Sequence, residues 1–138
     1  CVVTLVERAS KHIVTLPTMG RKATDIEASL HTWLTRQVTG AVKSITFDRG
    51  LEFARWQQAI RDTSTSVFFA DPGSPGQRGL NENSNGLLRR SGLPKSLDFN
   101  TVTPEYIRYV AVKRNSIPRK SLDYKTPQDM YDSYIARL

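Results

Sequence analysis

Ser44-Ile45-Thr46-Phe47-Asp48-Arg49-Gly50 is a short apolar stretch that stops on a carboxylate and then turns. Read as a buried strand it ends at Asp48, and Arg49-Gly50 bends the chain into a helix expected from Leu51 to Asp62, with Phe53, Trp56 and Ile60 inward. Ser66-Val67-Phe68-Phe69-Ala70 follows as another strand, so strand, helix and strand come in immediate succession. Layered α/β folds are assembled from that unit.

Upstream, Val2 to Glu7 is β-branched and apolar and suits a buried strand. Arg8-Ala9-Ser10-Lys11 reads as a hairpin turn, His12-Ile13-Val14-Thr15-Leu16 as the returning strand, and Pro17 to Lys22 as loop. Thr24 and Glu27 have the spacing of a capping box, opening a helix whose Ile26, Leu30, Trp33 and Leu34 share one face. Gly40 ends that pattern. Downstream, Asp71-Pro72-Gly73-Ser74-Pro75-Gly76 can hardly be helix or strand. A polar helix is expected from Gln77 or Arg78 to Arg90, and Gly92 to Asn100 connects to a helix capped by Thr103 with Pro104 at its first position. Ser116 to Lys125 is a basic loop, after which Thr126-Pro127 repeats the cap and proline. Met130, Tyr131, Tyr134, Ile135 and Leu138 make the last apolar stripe.

The order is strand, strand, helix, strand, helix, strand, helix and two further helices: an α/β fold with a mixed sheet flanked by helices. A strand placed before Cys1 would turn this into the element order of the ribonuclease-H fold. The chain opens on Cys1-Val2-Val3 without an initiator Met, so a cut inside a longer protein and a missing first strand are expected together. No repeat or linker-like break divides the 138 residues, and a single domain over 1–138 is expected.

Hydrophobic content of 38% and charged content of 24% are those of a soluble globular chain. No apolar run reaches membrane-span length, and no charged leader precedes an apolar stretch, so neither membrane nor signal peptide is expected. Cys1 is the only cysteine, which rules out an intrachain disulfide and a thiolate zinc site and favours the cytoplasm. His12 is expected to face solvent along a strand and His31 to sit on the exposed side of a helix, so neither is a metal-ligand candidate. The net charge of +7 favours a polyanionic partner. Solubility is the plainer reading of that charge, because the basic residues are spread along the chain.

Two carboxylates stand out. Ligands in α/β sheets gather at the carboxyl ends of strands, which is where Asp48 falls; an Asp there can equally cap the following helix. Glu82 lies in Gln77-Arg78-Gly79-Leu80-Asn81-Glu82-Asn83-Ser84-Asn85-Gly86-Leu87-Leu88-Arg89-Arg90, unusually polar for a helix. Gln77, Arg78, Asn81, Asn85 and Arg89 are donors suited to phosphate oxygens, and Asn85 and Arg89 share the helical face of Glu82. A merely solvated helix would hold fewer Asn residues, since Asn is a poor helix former.

Thr46-Phe47-Asp48-Arg49-Gly50-Leu51-Glu52-Phe53 resembles the second-Asp motif of DDE integrases, Thr-x-Asp-(Asn/Arg)-Gly-x-Glu-Phe. Phe69 to Arg89 resembles the Glu motif of the insertion sequence 30 family of bacterial transposases. Thr4-Leu5-Val6-Glu7-Arg8, Pro118-Arg119-Lys120-Ser121-Leu122 and Lys125-Thr126-Pro127 match the same family in the same order, so the resemblance covers essentially the whole chain. It departs at Gly76, where the family carries Trp, at Leu80, where it carries Thr or Ser, and at Asn115-Ser116-Ile117-Pro118, where it reads Asn-Asn-Arg-Pro. The family's first Asp lies on the strand before Thr4 and is not in this sequence. Asp25 does not replace it, being in the first turn of a helix, and Glu7 follows the wrong strand.

The resemblance implies a ribonuclease-H-like integrase core in which three carboxylates hold two Mg²⁺ or Mn²⁺ ions about 3.5–4 Å apart. It makes Asp48 and Glu82 catalytic metal ligands that meet in space despite the 33 residues between them. Arg78, Asn81, Asn85, Arg89, Arg119 and Lys120 would contact DNA. The implied reaction is cleavage at a transposon end followed by strand transfer into target DNA, by a homo-oligomer in the bacterial cytoplasm, associated with the nucleoid. The alternatives are a non-catalytic DNA-binding remnant of a transposase and a ribonuclease-H-like nuclease. The chain as given, without its first Asp, is expected to be inactive in cleavage.

Overall fold

The computed structural model describes residues 2–47, 50–70, 86–90, 92 and 103–138. The chain divides into two compact units, one holding Thr18–Arg78 and the other Val2–Pro17 with Gly79–Arg137.

In the second of these, β1 (Val2–Val6) and β2 (Ile13–Pro17) pair antiparallel from Val2↔Pro17 to Val6↔Ile13. Glu7 N–H donates to His12 O at 2.9 Å and Lys11 N–H to Glu7 O at 2.8 Å, closing the expected turn, with Lys11 at φ 62°. The Glu7 carboxylate accepts from Ala9 N–H at 3.0 Å and Ser10 N–H at 2.6 Å. Burial pushes the Glu7 carboxyl upward, but the bonds from Ser10 and Ala9 outweigh it and hold the group below its ordinary value.

Thr103 and Thr126 cap their helices as their positions before Pro104 and Pro127 lead one to expect. Thr103 accepts from Tyr106 N–H at 3.1 Å and Thr126 from Asp129 N–H at 3.0 Å, and each proline opens its helix where no N–H is needed. Residues 86–90 are helical (α3), and α4 (Pro104–Asn115) turns Ile107 and Val110 inward. Those two close on Leu88 and Ile13, with Val2 and Val6 against them, to make the core of this unit. Asn115, 3% exposed, locks the end of α4 to β2: its Oδ1 accepts from Ile13 N–H at 2.9 Å and its Nδ2 donates to Ile13 O at 2.8 Å.

α5 (Pro127–Ala136) covers the hairpin end, and here the expectation for His12 is corrected. His12 does not face solvent: its ring stacks on Tyr131 at 4.3 Å and its Nε2 lies 3.1 Å from Gln128 Oε1. The stripe that was expected on α5 supplies that ring, while Leu138 stays 50% exposed.

Burial under Tyr131 lowers the His12 pKa from 6.5, against the raising effects of Gln128, Asp132 and Glu7. The folded state therefore binds this proton less readily than the unfolded chain, so the His12 contribution to stability is full above 6.5 and is lost as pH falls below it. Glu7, lowered from 4.5, acts in the same direction in a more acidic window. Urea unfolding at stepped pH should show stability declining just below pH 6.5 and again below 4.5. His12→Phe should remove the first decline and keep the second; an unchanged upper decline would refute the assignment.

In the other unit, α1 (Ala23–Thr35) buries Ile26, Leu30 and Leu34, with Trp33 half-buried. Its start is corrected. The N-cap is Lys22 rather than Thr24, and Asp25 Oδ2 accepts from Lys22 N–H at 3.2 Å. A lysine side chain only donates, so the return half of a capping box is all that forms. β3 (Ser44–Phe47) and β4 (Ser66–Phe69) pair parallel from Ser44↔Ser66 to Phe47↔Phe69. The helix expected from Leu51 to Asp62 is a 3₁₀ turn, Leu51–Phe53, followed by a short α2, Trp56–Ala59. Neither Gly50 nor Arg55 offers a capping side chain, and Asp62 turns away at φ 60°. His31 is also not the exposed residue expected: it is half-buried, with Nδ1 3.1 Å from Ala59 O. Arg61 pairs with Glu27 at 2.9 Å and donates to Gln58 O at 2.7 Å.

Candidate functional site

The carboxyl ends of β3 and β4 are built on aromatic rings. Ile45 and Phe47 point inward while Ser44 and Thr46 are exposed, the alternation of a strand buried on one face. Phe47, 4% exposed, lies 4.8 Å from Phe53 and 6.0 Å from Phe69 between ring centres, and Trp56 meets Phe69 edge-on at 5.7 Å. Ala70 N–H donates to Phe47 O at 2.8 Å, carrying the ladder one residue past β4. Phe53 of the Thr46–Phe53 motif is thus a structural anchor: it folds the chain after Gly50 back onto the strand that precedes Asp48. The spacing of Phe53, Trp56 and Ile60 suggested a helix face, and the ring contacts are what sequence reading missed.

Asp48 and Arg49 lie outside the described residues, directly between buried Phe47 and Gly50, whose backbone is extended at φ −68° and ψ 146°. Glu82, Arg78, Asn81 and Asn85 lie outside them too, and so does the expected approach of Asp48 to Glu82. The crevice lined by Ile26, Leu30, Phe47, Phe53, Trp56 and Ala59 has room for about 10 Å³, no more than a water, so it is no substrate pocket.

Among the described residues no three His, Cys, Asp or Glu side chains gather as a metal site. The carboxylates of Glu7 and Asp25 have local duties. Glu7 accepts from its own turn and Asp25 from Lys22 N–H.

The basic candidates that are described belong to the unit of the hairpin. Arg89 is exposed on α3. Arg119 and Lys120 sit where a 3₁₀ turn, Lys120–Leu122, closes the loop between α4 and α5. Arg119 N–H donates to Lys125 O at 3.1 Å, and Arg119 O accepts from Tyr124 N–H and Leu122 N–H at 2.9 Å each. Asp123 and Tyr124 take positive φ to complete the turn, and Lys11 Nζ reaches across from the hairpin to Ser121 Oγ. This cross-bracing fixes the backbone of Arg119 and leaves Lys120 exposed.

No protein-family model matches the chain. Curated proteins do. The transposase InsI of insertion sequence element IS30C from Escherichia coli is 36% identical over 135 residues, 98% of this chain and 35% of its own length. The transposase of insertion sequence element IS4351 from Bacteroides fragilis is 33% identical over 97% of this chain and 40% of its own length. The transposase of IS1086 from Cupriavidus metallidurans is 34% identical over 96% of this chain and 39% of its own. The chain thus spans little more than a third of the length of the relatives it matches. Among solved structures, a chain of a simian T-cell lymphotropic virus intasome complex matches with a TM-score of 0.71 at 16% identity, over 95% of this chain and 52% of the other. At that identity the likeness speaks to the fold: α/β, of the ribonuclease-H-like integrase-core type, with one antiparallel and one parallel strand pair among the described residues. No helix among the described residues is long and apolar enough to cross a membrane.

Proposed function

We propose, from a chain that belongs by sequence to the insertion sequence 30 family of transposases, that it is catalytic-core sequence of an enzyme that cleaves and joins DNA strands in transposition. The observation that carries this reading is the parallel strand β3, which ends at buried Phe47, the residue that precedes Asp48 in the sequence. Ligand-binding residues of α/β sheets collect there, and the motif from Thr46 to Phe53 runs through it.

Asp48 and Glu82 are the proposed ligands of two Mg²⁺ or Mn²⁺ ions. When bound, such ions activate the attacking oxygen and stabilise the leaving one. The chain's described part in this is the contact of Phe47 with Phe53, which anchors the backbone before and after the segment that carries Asp48. Arg78, Asn81, Asn85, Arg89, Arg119 and Lys120 are the proposed contacts to DNA phosphates of transposon ends and target. The working form is proposed to be a homo-oligomer acting on DNA in the bacterial cytoplasm, with the nucleoid.

The test is strand cleavage of a labelled terminal-repeat duplex by the polypeptide extended to the length of its relatives, with Mg²⁺, Mn²⁺ or EDTA. Metal-dependent nicking that leaves a 3′-OH, followed by joining to a target duplex, is the expected result. Binding without nicking under every metal condition would overturn the reading.

A further inference from the structure

Arg114 stands in the last turn of α4, and its Nε is buried without a hydrogen-bond partner. Burial, then the positive charges of Arg119 and Arg90, push its pKa below the ordinary arginine value, and among the described residues no carboxylate contributes an opposing effect. The only ion pair among the described residues is Arg61 with Glu27. A buried donor without an acceptor and like charges without a counter-ion both oppose folding. The arrangement makes sense once an anion is added.

The backbone holds these cations in place. Leu88 of α3 packs in the same core as Val110 of α4. Arg90 lies two residues past Leu88, and Arg114 lies one helical turn past Val110, on its face. The Asn115 bonds to Ile13 fix the end of α4 beside Arg114. Arg119 is held by its bonds to Lys125, Tyr124 and Leu122. Arg114 is also near the negative end of the α4 dipole, a favourable place for a cation awaiting a ligand.

We propose that Arg90, Arg114 and Arg119 form a phosphate-binding site that takes one phosphodiester of a nucleic-acid backbone. A guanidinium presents Nε–H and Nη–H as a planar fork that matches two phosphate oxygens. Arg114 offers the buried prong, while Arg90 and Arg119 supply charge from the α3 end and the braced loop. The choice of nucleic acid rests on the function proposed above. The oxyanion site itself does not.

Thermal unfolding of the full-length protein in inorganic phosphate and in chloride at equal ionic strength tests the site. Binding of a random-sequence duplex across salt concentrations tests its ligand. Phosphate should raise Tm saturably and chloride should not. Arg114→Gln should abolish that rise and yet increase Tm in chloride, because it removes a half-buried cation that faces the like charges of Arg119 and Arg90. A structural arginine would show the opposite sign. The same variant should weaken duplex binding about tenfold and lower the salt slope by about one. Arg90→Gln, at an exposed position, should reduce both responses without risk to the fold. Equal effects of phosphate and chloride, or a phosphate rise that survives Arg114→Gln, would overturn the site. A rise lost with duplex affinity and salt slope unchanged would overturn the nucleic-acid assignment. Strand cleavage by the wild type, assayed separately, reports on the proposed function alone, so the two can fail independently.

Discussion

Asp48→Asn should reduce strand cleavage by the extended polypeptide on the order of a thousandfold or more, equivalent to about 4 kcal/mol of transition-state stabilisation. The substitution preserves size and removes one negative charge. Two divalent ions bring four positive charges into a small space, and an amide oxygen is a far poorer partner for them than a carboxylate. The fold should tolerate the exchange, because the anchoring falls to Phe47 and Phe53, whose rings lie 4.8 Å apart. Duplex affinity without metal should hold steady or rise slightly, since a repulsive charge is lost. Cleavage and binding therefore separate: a residue that merely capped the following turn would lose stability and spare the chemistry. Cleavage within tenfold of wild type, or a drop matched by lost stability, would remove Asp48 from the metal site.

What the sequence disclosed follows from how local each cause is. Thr103-Pro104 and Thr126-Pro127 were legible because a cap and an N1 proline act within one turn, and both hydrogen bonds are present. The hairpin was legible for the same reason. The long helix from Leu51 was misread because Phe53 and Trp56 have helical spacing, yet their rings are claimed by Phe47 and Phe69 across the strand ends. His12 was misread because the ring that buries it, Tyr131, lies at the far end of the chain. Arg114 gave no sequence signal among many basic residues. Its distinction is an unpartnered buried Nε, which only packing creates. Asp48 and Glu82 reverse the pattern: motif spacing nominates them, and the described residues show the anchors around Asp48 rather than the carboxylates themselves.

Asn115→Ala should lower the unfolding free energy by about 2–4 kcal/mol, read from urea denaturation of the same protein at neutral pH. The side-chain amide occupies the place a neighbouring strand would take, answering both the N–H and the C=O of Ile13 at 2.9 and 2.8 Å. Alanine leaves those two backbone groups without their partner next to Ile13, itself 2% exposed, and a buried group left unmade costs about 1–3 kcal/mol. The cost falls on the core directly, since Ile13 packs with Ile107 and Val110 of the helix that carries Asn115. Asn115→Asp separates hydrogen bonding from packing. An ionised carboxylate can still accept from Ile13 N–H but faces the Ile13 carbonyl with a second acceptor, so it should be as damaging as alanine at neutral pH. A protonated carboxyl restores one acceptor and one donor in the asparagine pattern. Burial favours that neutral form, so the folded-state pKa of this aspartate should lie above its unfolded value. The aspartate variant should therefore recover stability relative to the alanine variant as pH falls through that raised pKa. If alanine costs less than about 0.5 kcal/mol, within the range of ordinary surface substitutions, water replaces the amide. If the aspartate and alanine variants keep a constant difference across pH, the amide does not bridge Ile13 in the manner described.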